Sequence, residues 1–178
     1  MILSTHAIVG GAIASLFPSH PLLVVAAGFA SHFAIDAIPH WDYPLQAISI
    51  RPAAGSASLN LDRRLWVDLS LIALDACAGL AIAIWLFATP PTMGAILLGA
   101  VAAMVPDPLQ LAHALYPREP LKSLQRFHQW THAKRTLSWP LGASSQAIFA
   151  AVVSGIAIAL GPWWTRPGFG DRPGPNSA

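Results

Sequence analysis

Three residues in one apolar stretch, His32, Asp36 and His40, stand at H-x3-D-x3-H spacing. Residues four apart share a face of an α-helix, so His32 and Asp36 are placed to grip one metal ion together. Along an ideal helix axis His32 and His40 lie about 12 Å apart, too far for that same ion. His40 therefore serves a second metal, or Pro39 bends the chain toward the first. The plainer alternative is a polar stripe hydrogen-bonded to neighbouring helices, although three such residues in one apolar helix are costly to keep.

The spacing recurs in Phe-His-Gln-Trp-Thr-His, where His128 and His132 lie four apart. Two imidazoles on one helical turn hold an ion in helical zinc motifs; the alternative is a pair of surface histidines in a basic loop. His6, after Thr5, is a ligand, an acid or a hydrogen-bonded interface residue. Asp107 stands in Pro-Asp-Pro and is a ligand or a turn residue. Asp68 and Asp75 fall on one helical face, and Asp75, deep in an apolar run, needs a partner: a metal, a protonated histidine or its own proton. Asp42 follows His40 closely and is a ligand or, more in keeping with its position, a turn residue. His20 and His113 read as incidental. The single cysteine, Cys77, lies in an apolar run and reads as packing. The donors are then nitrogen and oxygen only, a set that suits zinc, with manganese or iron as alternatives. No G-x-S-x-G elbow or P-loop competes for the chemistry.

The elements that must carry these residues are apolar. The chain has 178 residues, 54% hydrophobic and only 10% charged, whereas a typical soluble domain is about 25% charged. Too few charges are present to cover a soluble surface, and lipid needs no such cover. The expected architecture is an all-α integral membrane bundle of about five helices, some short, with a polar site at the cytoplasmic side. The five apolar segments run from Ile2 to Phe17, Leu22 to Ile38, Leu65 to Ala88, Thr92 to Val105 with an extension past Pro106 to Leu115, and Leu141 to Leu160. Strands are not expected, because the segments are long and lack period-2 alternation. Polar connections cover His40 to Arg64 and Tyr116 to Pro140. Residues 1–161 form a single helical membrane domain and 162–178, rich in Gly and Pro, a disordered tail with Trp163 and Trp164 as interfacial anchors. Without a basic n-region at the start, no signal peptide is expected.

Alternation places the N-terminus and both polar connections on one side. That side carries Arg51, Arg63, Arg64, Arg118, Lys122, Arg126, Lys134 and Arg135; the other carries Arg166 and Arg172. The positive-inside rule makes the first side cytoplasmic, in a multi-pass cell-membrane protein. Nearly all the His and Asp candidates fall at the same face, although they played no part in choosing it. A net charge of +2, with no basic run interleaved with aromatics, argues against a nucleic-acid partner. The bilayer is the expected partner.

Thr5-His6, Ser31-His32-x3-Asp36-x2-Pro39-His40, Val105-Pro106-Asp107 and Phe127-His128-x3-His132 together resemble the YdjM-like membrane-bound metal-dependent hydrolases. The H-x3-D element also resembles the zinc-dependent phospholipase C and S1/P1 nuclease group. The resemblance implies His6, His32, Asp36, His40, Asp107, His128 and His132 as metal-site residues. Independently of the resemblance, the one-sided cluster of His and Asp points to a hydrolase in which metal-activated water attacks a phosphoester or acyl ester, a lipid being a fitting substrate, with Asp68 or Asp75 as a base or as a group orienting histidines. The competing expectations are a proton or metal-ion transporter, resting on Asp75, and a non-catalytic membrane protein stapled by a metal or polar cluster.

Overall fold

The computed structural model describes residues 1–51, 56–59 and 62–161. The expected tail at 162–178, with Trp163 and Trp164, lies outside them. Among the described residues the chain forms α1 (Leu3–Leu16), α2 (Pro21–Asp36), β1 (Ile48–Arg51), β2 (Ser56–Leu59), α3 (Arg63–Phe87), α4 (Met93–Met104), α5 (Pro106–Leu115), α6 (Leu121–Thr131) and α7 (Trp139–Leu160). The architecture is a helical bundle. The five apolar segments are the helices α1, α2, α3, α4 and α7.

Proline writes most of the boundaries. Pro18 follows α1, Pro21 opens α2, Pro39 lies just past its end, and Pro90-Pro91 separates α3 from α4, as expected of a residue that fixes φ and lacks an N–H. Asp62 caps α3, its side chain accepting from the Arg64 amide at 2.8 Å. The fourth segment does carry on past Pro106, as two helices that meet at Val105.

Two expectations need correction. The stretch from Tyr116 to Pro140, read as a loop, contains α6, whose buried side is polar: Gln125 and His128. Hydropathy does not flag such a helix. The connection from His40 to Arg64 holds a two-stranded antiparallel hairpin, Ile48 pairing with Leu59 and Arg51 with Ser56. Strands were not expected because the reading considered only long apolar segments, and this pair is four residues a side.

The core is built around α1, which packs on α2, α3, α4 and α7. Ala7, Ala12 and Ala14 are buried, together with Val24 of α2, Ala83 of α3, and Ile96 and Ala100 of α4. Glycine lets the backbones meet. A Cβ on Gly10 would collide with the Gly99 carbonyl, and one on Gly99 would lie 2.6 Å from the Gly10 oxygen. Close backbone approach through small residues is the packing mode that works in lipid.

Three helices are long and apolar enough to cross a membrane: Arg63–Phe87, the α4–α5 run Met93–His113, and Trp139–Leu160. The outer faces of α3 and α7 present Trp66, Leu74, Trp85, Leu141 and Ile148. Exposed apolar side chains of this size, repeated along whole helices, are what a lipid-facing or partner-facing surface shows. The shorter α1 and α2 lie against these helices, so their length sets no limit on the bundle.

Candidate metal centre

The bundle brings its polar residues to one end: the start of α1, the end of α2, the α4–α5 junction and α6. Asp36, in the last turn of α2, is the hub. Its carboxylate lies 3.2 Å from the Nε2 atoms of His6, His32 and His128, and 4.0 Å from His132 Nε2. His32 Nε2 is also 3.5 Å from Asp107. The His6 and His32 rings stack with centroids 4.0 Å apart.

His40 is carried beyond the end of α2, which stops at Ala37. It is held there by the Leu137 amide, which donates to its carbonyl at 2.9 Å. Its Nε2 lies 3.2 Å from Asp42, and His132 Nε2 is 3.8 Å from the same carboxylate. Two groups of converging ligand atoms result: His32, Asp36, Asp107 and His128, and Asp36, His40 and His132. Each can hold a metal ion, and Asp36 belongs to both. The sequence left His40 between serving a second ion and bending toward the first; the chain breaks after α2 and His40 joins the second group.

The histidine tautomers point the same way. His32 Nδ1 lies 2.8 Å from the Ala103 carbonyl, His40 Nδ1 2.6 Å from that of Ile38, and His132 Nδ1 3.1 Å from that of Ala133. A carbonyl only accepts, so each Nδ1 carries the hydrogen and, in a neutral ring, each Nε2 presents a lone pair. Ala103 is in the last turn of α4, where carbonyls lack a helical partner. Tethering the far ring nitrogen to a carbonyl is how proteins orient metal-binding histidines.

Those lone pairs face carboxylate oxygens. Nε2 of His32 and His40, and both nitrogens of His6, are buried without a hydrogen-bond partner. Bare imidazole lone pairs turned on carboxylate lone pairs repel, and buried polar atoms left unsatisfied are costly. Protonating several rings would place like charges in contact. A divalent cation between them removes both costs, so the donor set fits a metal. The spacing fits as well: tetrahedral ligands about 2.0–2.1 Å from zinc lie roughly 3.4 Å from each other.

A layer of hydrogen bonds surrounds the ligands. Gln110 of α5 donates to Asp107 at 3.1 Å and lies 3.3 Å from His128 Nε2, and Gln125 of α6 donates to the Gln110 oxygen at 3.2 Å. The Met1 amino group sits against Asp36 and Asp42. Burial works against the charged form of Asp42, but in metal-free protein a proton on His40 Nε2, with the positive N-terminus beside it, holds the carboxyl down to about 2. One rim is open: the side chains of Asp42, Asp107 and His132 are 40%, 29% and 30% exposed, while His6, His32, Asp36, His40 and His128 are buried.

Of the expected metal residues, six fall within the two groups, and His6 adjoins them through Asp36 and His32. Asp68 and Asp75 stand elsewhere. Asp68 is buried and accepts from the amides of Gln46 and Ala47 at 2.9 and 2.7 Å. Asp75 accepts from the Ser4 amide at 2.8 Å and from the Tyr43 hydroxyl. Both carboxylates are engaged with backbone or tyrosine, and neither belongs to a converging group among the described residues. Burial, and after it the bond to Asp75, raise the Tyr43 phenol well above its usual range, so it stays a donor. Sequence reasoning undervalued Asp42 and passed over Gln110 and Gln125. Gln110 sits one turn after Asp107, a spacing that signals a shared face; Gln125 gave no signal before α6 was seen.

No protein-family model matches this chain, and no curated protein or solved structure compared with it is similar to it.

Proposed function

We propose that this chain is a membrane-embedded, metal-dependent hydrolase of the YdjM-like kind, with its site at the cytoplasmic face. The observation that carries the reading is the set of buried, partnerless Nε2 atoms turned on Asp36 and Asp42. His32, Asp36, Asp107 and His128 would hold one ion, and Asp36, His40 and His132 a second, with zinc the best match to nitrogen and oxygen donors.

A divalent metal there supplies a water acidic enough to ionise near neutral pH and a Lewis acid for the scissile group. The chain's own part is orientation. Carbonyl tethers aim His32, His40 and His132, and Gln110 holds Asp107. The open rim at Asp42, Asp107 and His132 leaves room for water and substrate, which distinguishes a catalytic site from a closed structural one. With apolar helices bordering the site, the fitting substrate is a phosphoester or acyl ester of a membrane lipid.

The test is metal analysis of the purified chain, followed by hydrolysis assays on lipid esters. Bound zinc, manganese or iron that is lost in His32→Ala, with turnover abolished in His128→Ala, supports the reading. A chain that binds no transition metal sinks it.

A second reading has its own observation. The cluster ties α1, α2, the segment after it, α5 and α6 together, as a structural staple would. Metal that raises stability, with no turnover on any ester, favours that alternative.

A further inference from the structure

Helix α6 has two unlike faces. Gln125 and His128 are buried, with Leu121, Leu124 and Thr131 half-buried beside them. On the opposite side Lys122, Arg126, Phe127 and Trp130 are exposed. At 100° per residue Trp130 lies at the centre of that outward face with Arg126 beside it. Trp130 is 78% exposed, and Phe127 packs near it with ring centroids 6.0 Å apart.

The surroundings are cationic. Between Tyr116 and Pro140 there are five Lys and Arg side chains and one carboxylate, Glu119, and Glu119 is occupied by the Ser123 hydroxyl at 2.7 Å. Seven residues separate the end of α6 from Trp139, the exposed first residue of α7. If α7 spans, Trp139 marks the edge of the hydrocarbon and α6 lies beside it. A short amphipathic helix with tryptophan among basic side chains, held at that level, is built for the headgroup layer.

We propose that α6 is an interfacial helix whose outward face, Trp130 with Lys122 and Arg126, docks on a leaflet containing anionic phospholipid. Its inward face then delivers His128 and His132 to the cluster, and the open rim stands at headgroup depth. This deepens the hydrolase reading by naming the membrane surface the site meets, and it rests on α3, α4–α5 and α7 being spans.

The experiment places an environment-sensitive fluorophore on single cysteines in a Cys77→Ala background. One chain carries Gln129→Cys on α6. The other carries Gly155→Cys on α7, where a new side chain meets open space. Each full-length chain is placed in lipid nanodiscs of phosphatidylcholine, with or without phosphatidylglycerol. The α7 label should emit as in hydrocarbon in both discs. The α6 label should shift to the blue when phosphatidylglycerol is present and revert in high salt. Lys122→Gln and Arg126→Gln should each lower the docked-to-free ratio about fivefold, the weight of one basic residue at an anionic surface. An α6 label that stays water-like in both discs, while the α7 label reads hydrocarbon, overturns the docking and leaves the spans standing. Two water-like labels remove the spans and the docking together. A blue shift seen only when two chains share a disc would mean that a second copy covers this face, and would also overturn it.

Discussion

At the residue scale, the chemistry turns on Asp36. Four imidazoles approach one buried carboxylate, three of them at 3.2 Å. Asp36→Asn therefore removes the shared ligand of both groups, and the metal content of the purified chain should fall for both ions together. His40→Ala should remove only the second. Gln110→Ala, which touches ligands without belonging to either group, should weaken metal affinity by about 10–100-fold, the usual cost of losing an orienting partner. A metal titration against a competing chelator reads all three. Asp42 provides a pH test. Its folded pKa is depressed to about 2. Its charge therefore adds stability that is complete above the ordinary carboxylate pKa and is lost as pH falls toward 2. Asp42→Asn should flatten the acid limb of Tm against pH in metal-free protein. An unchanged limb would mean that the charge contributes nothing.

At the element scale, α1 is held by groups far from it in sequence. It has no side-chain cap of its own. The Ile2 amide donates to Gln146 of α7 at 3.0 Å, the Leu3 amide to the Tyr43 hydroxyl at 2.8 Å and the Ser4 amide to Asp75 of α3. These satisfy donors that a helix start leaves free, and a carboxylate there also suits the helix dipole. Asp75 thus positions the turn that carries His6. Asp75→Ala should cost about 1 kcal/mol, the ordinary loss on deleting a cap, and lower Tm while the ligand set stays complete. Loss of both metals with no change in Tm would instead make Asp75 a working part of the site. Gly10→Leu should be far more damaging, because the Gly99 carbonyl occupies the space a side chain needs. Poor yield of folded protein in mild detergent is the expected readout.

At the scale of the whole molecule, the cluster draws on helices early and late in the chain. A metal bound only by the folded state stabilises it by mass action, about 2.7 kcal/mol when free metal is a hundredfold above Kd. Removing metal with a chelator should lower Tm, and restoring zinc should recover it. Identical melting curves with and without chelator would show that no ion links α2 to α6. The apolar belt of α3 and α7 belongs to this scale too: the bundle buries α1 and leaves its outer helices with exposed apolar faces of a kind that lipid can cover.

Much of this was legible in one dimension. Hydropathy marked the five apolar helices, and proline marked most of their ends, because both signals are local and act on a few neighbouring residues. The i, i+4 spacing paired His32 with Asp36, and both fall in one group because helical geometry puts them on one face; His128 and His132, paired in the same way, part into different groups, because α6 ends at Thr131 and His132 follows in extended backbone. Convergence was only suggested, by counting which helix ends share a side. Spacing along a chain carries no information on which turn of α6 meets which turn of α2. That was decided by close packing of α1 on α4 through Gly10 and Gly99 and by the break after Ala37 that swings His40 back. The same packing separated Asp68 and Asp75 from the ligands, although their sequence context resembled that of Asp36. A carboxylate in an apolar helix must find a partner, and only the tertiary structure supplies the choice: backbone amides for Asp68, Tyr43 and a helix start for Asp75, and a ring of imidazoles for Asp36.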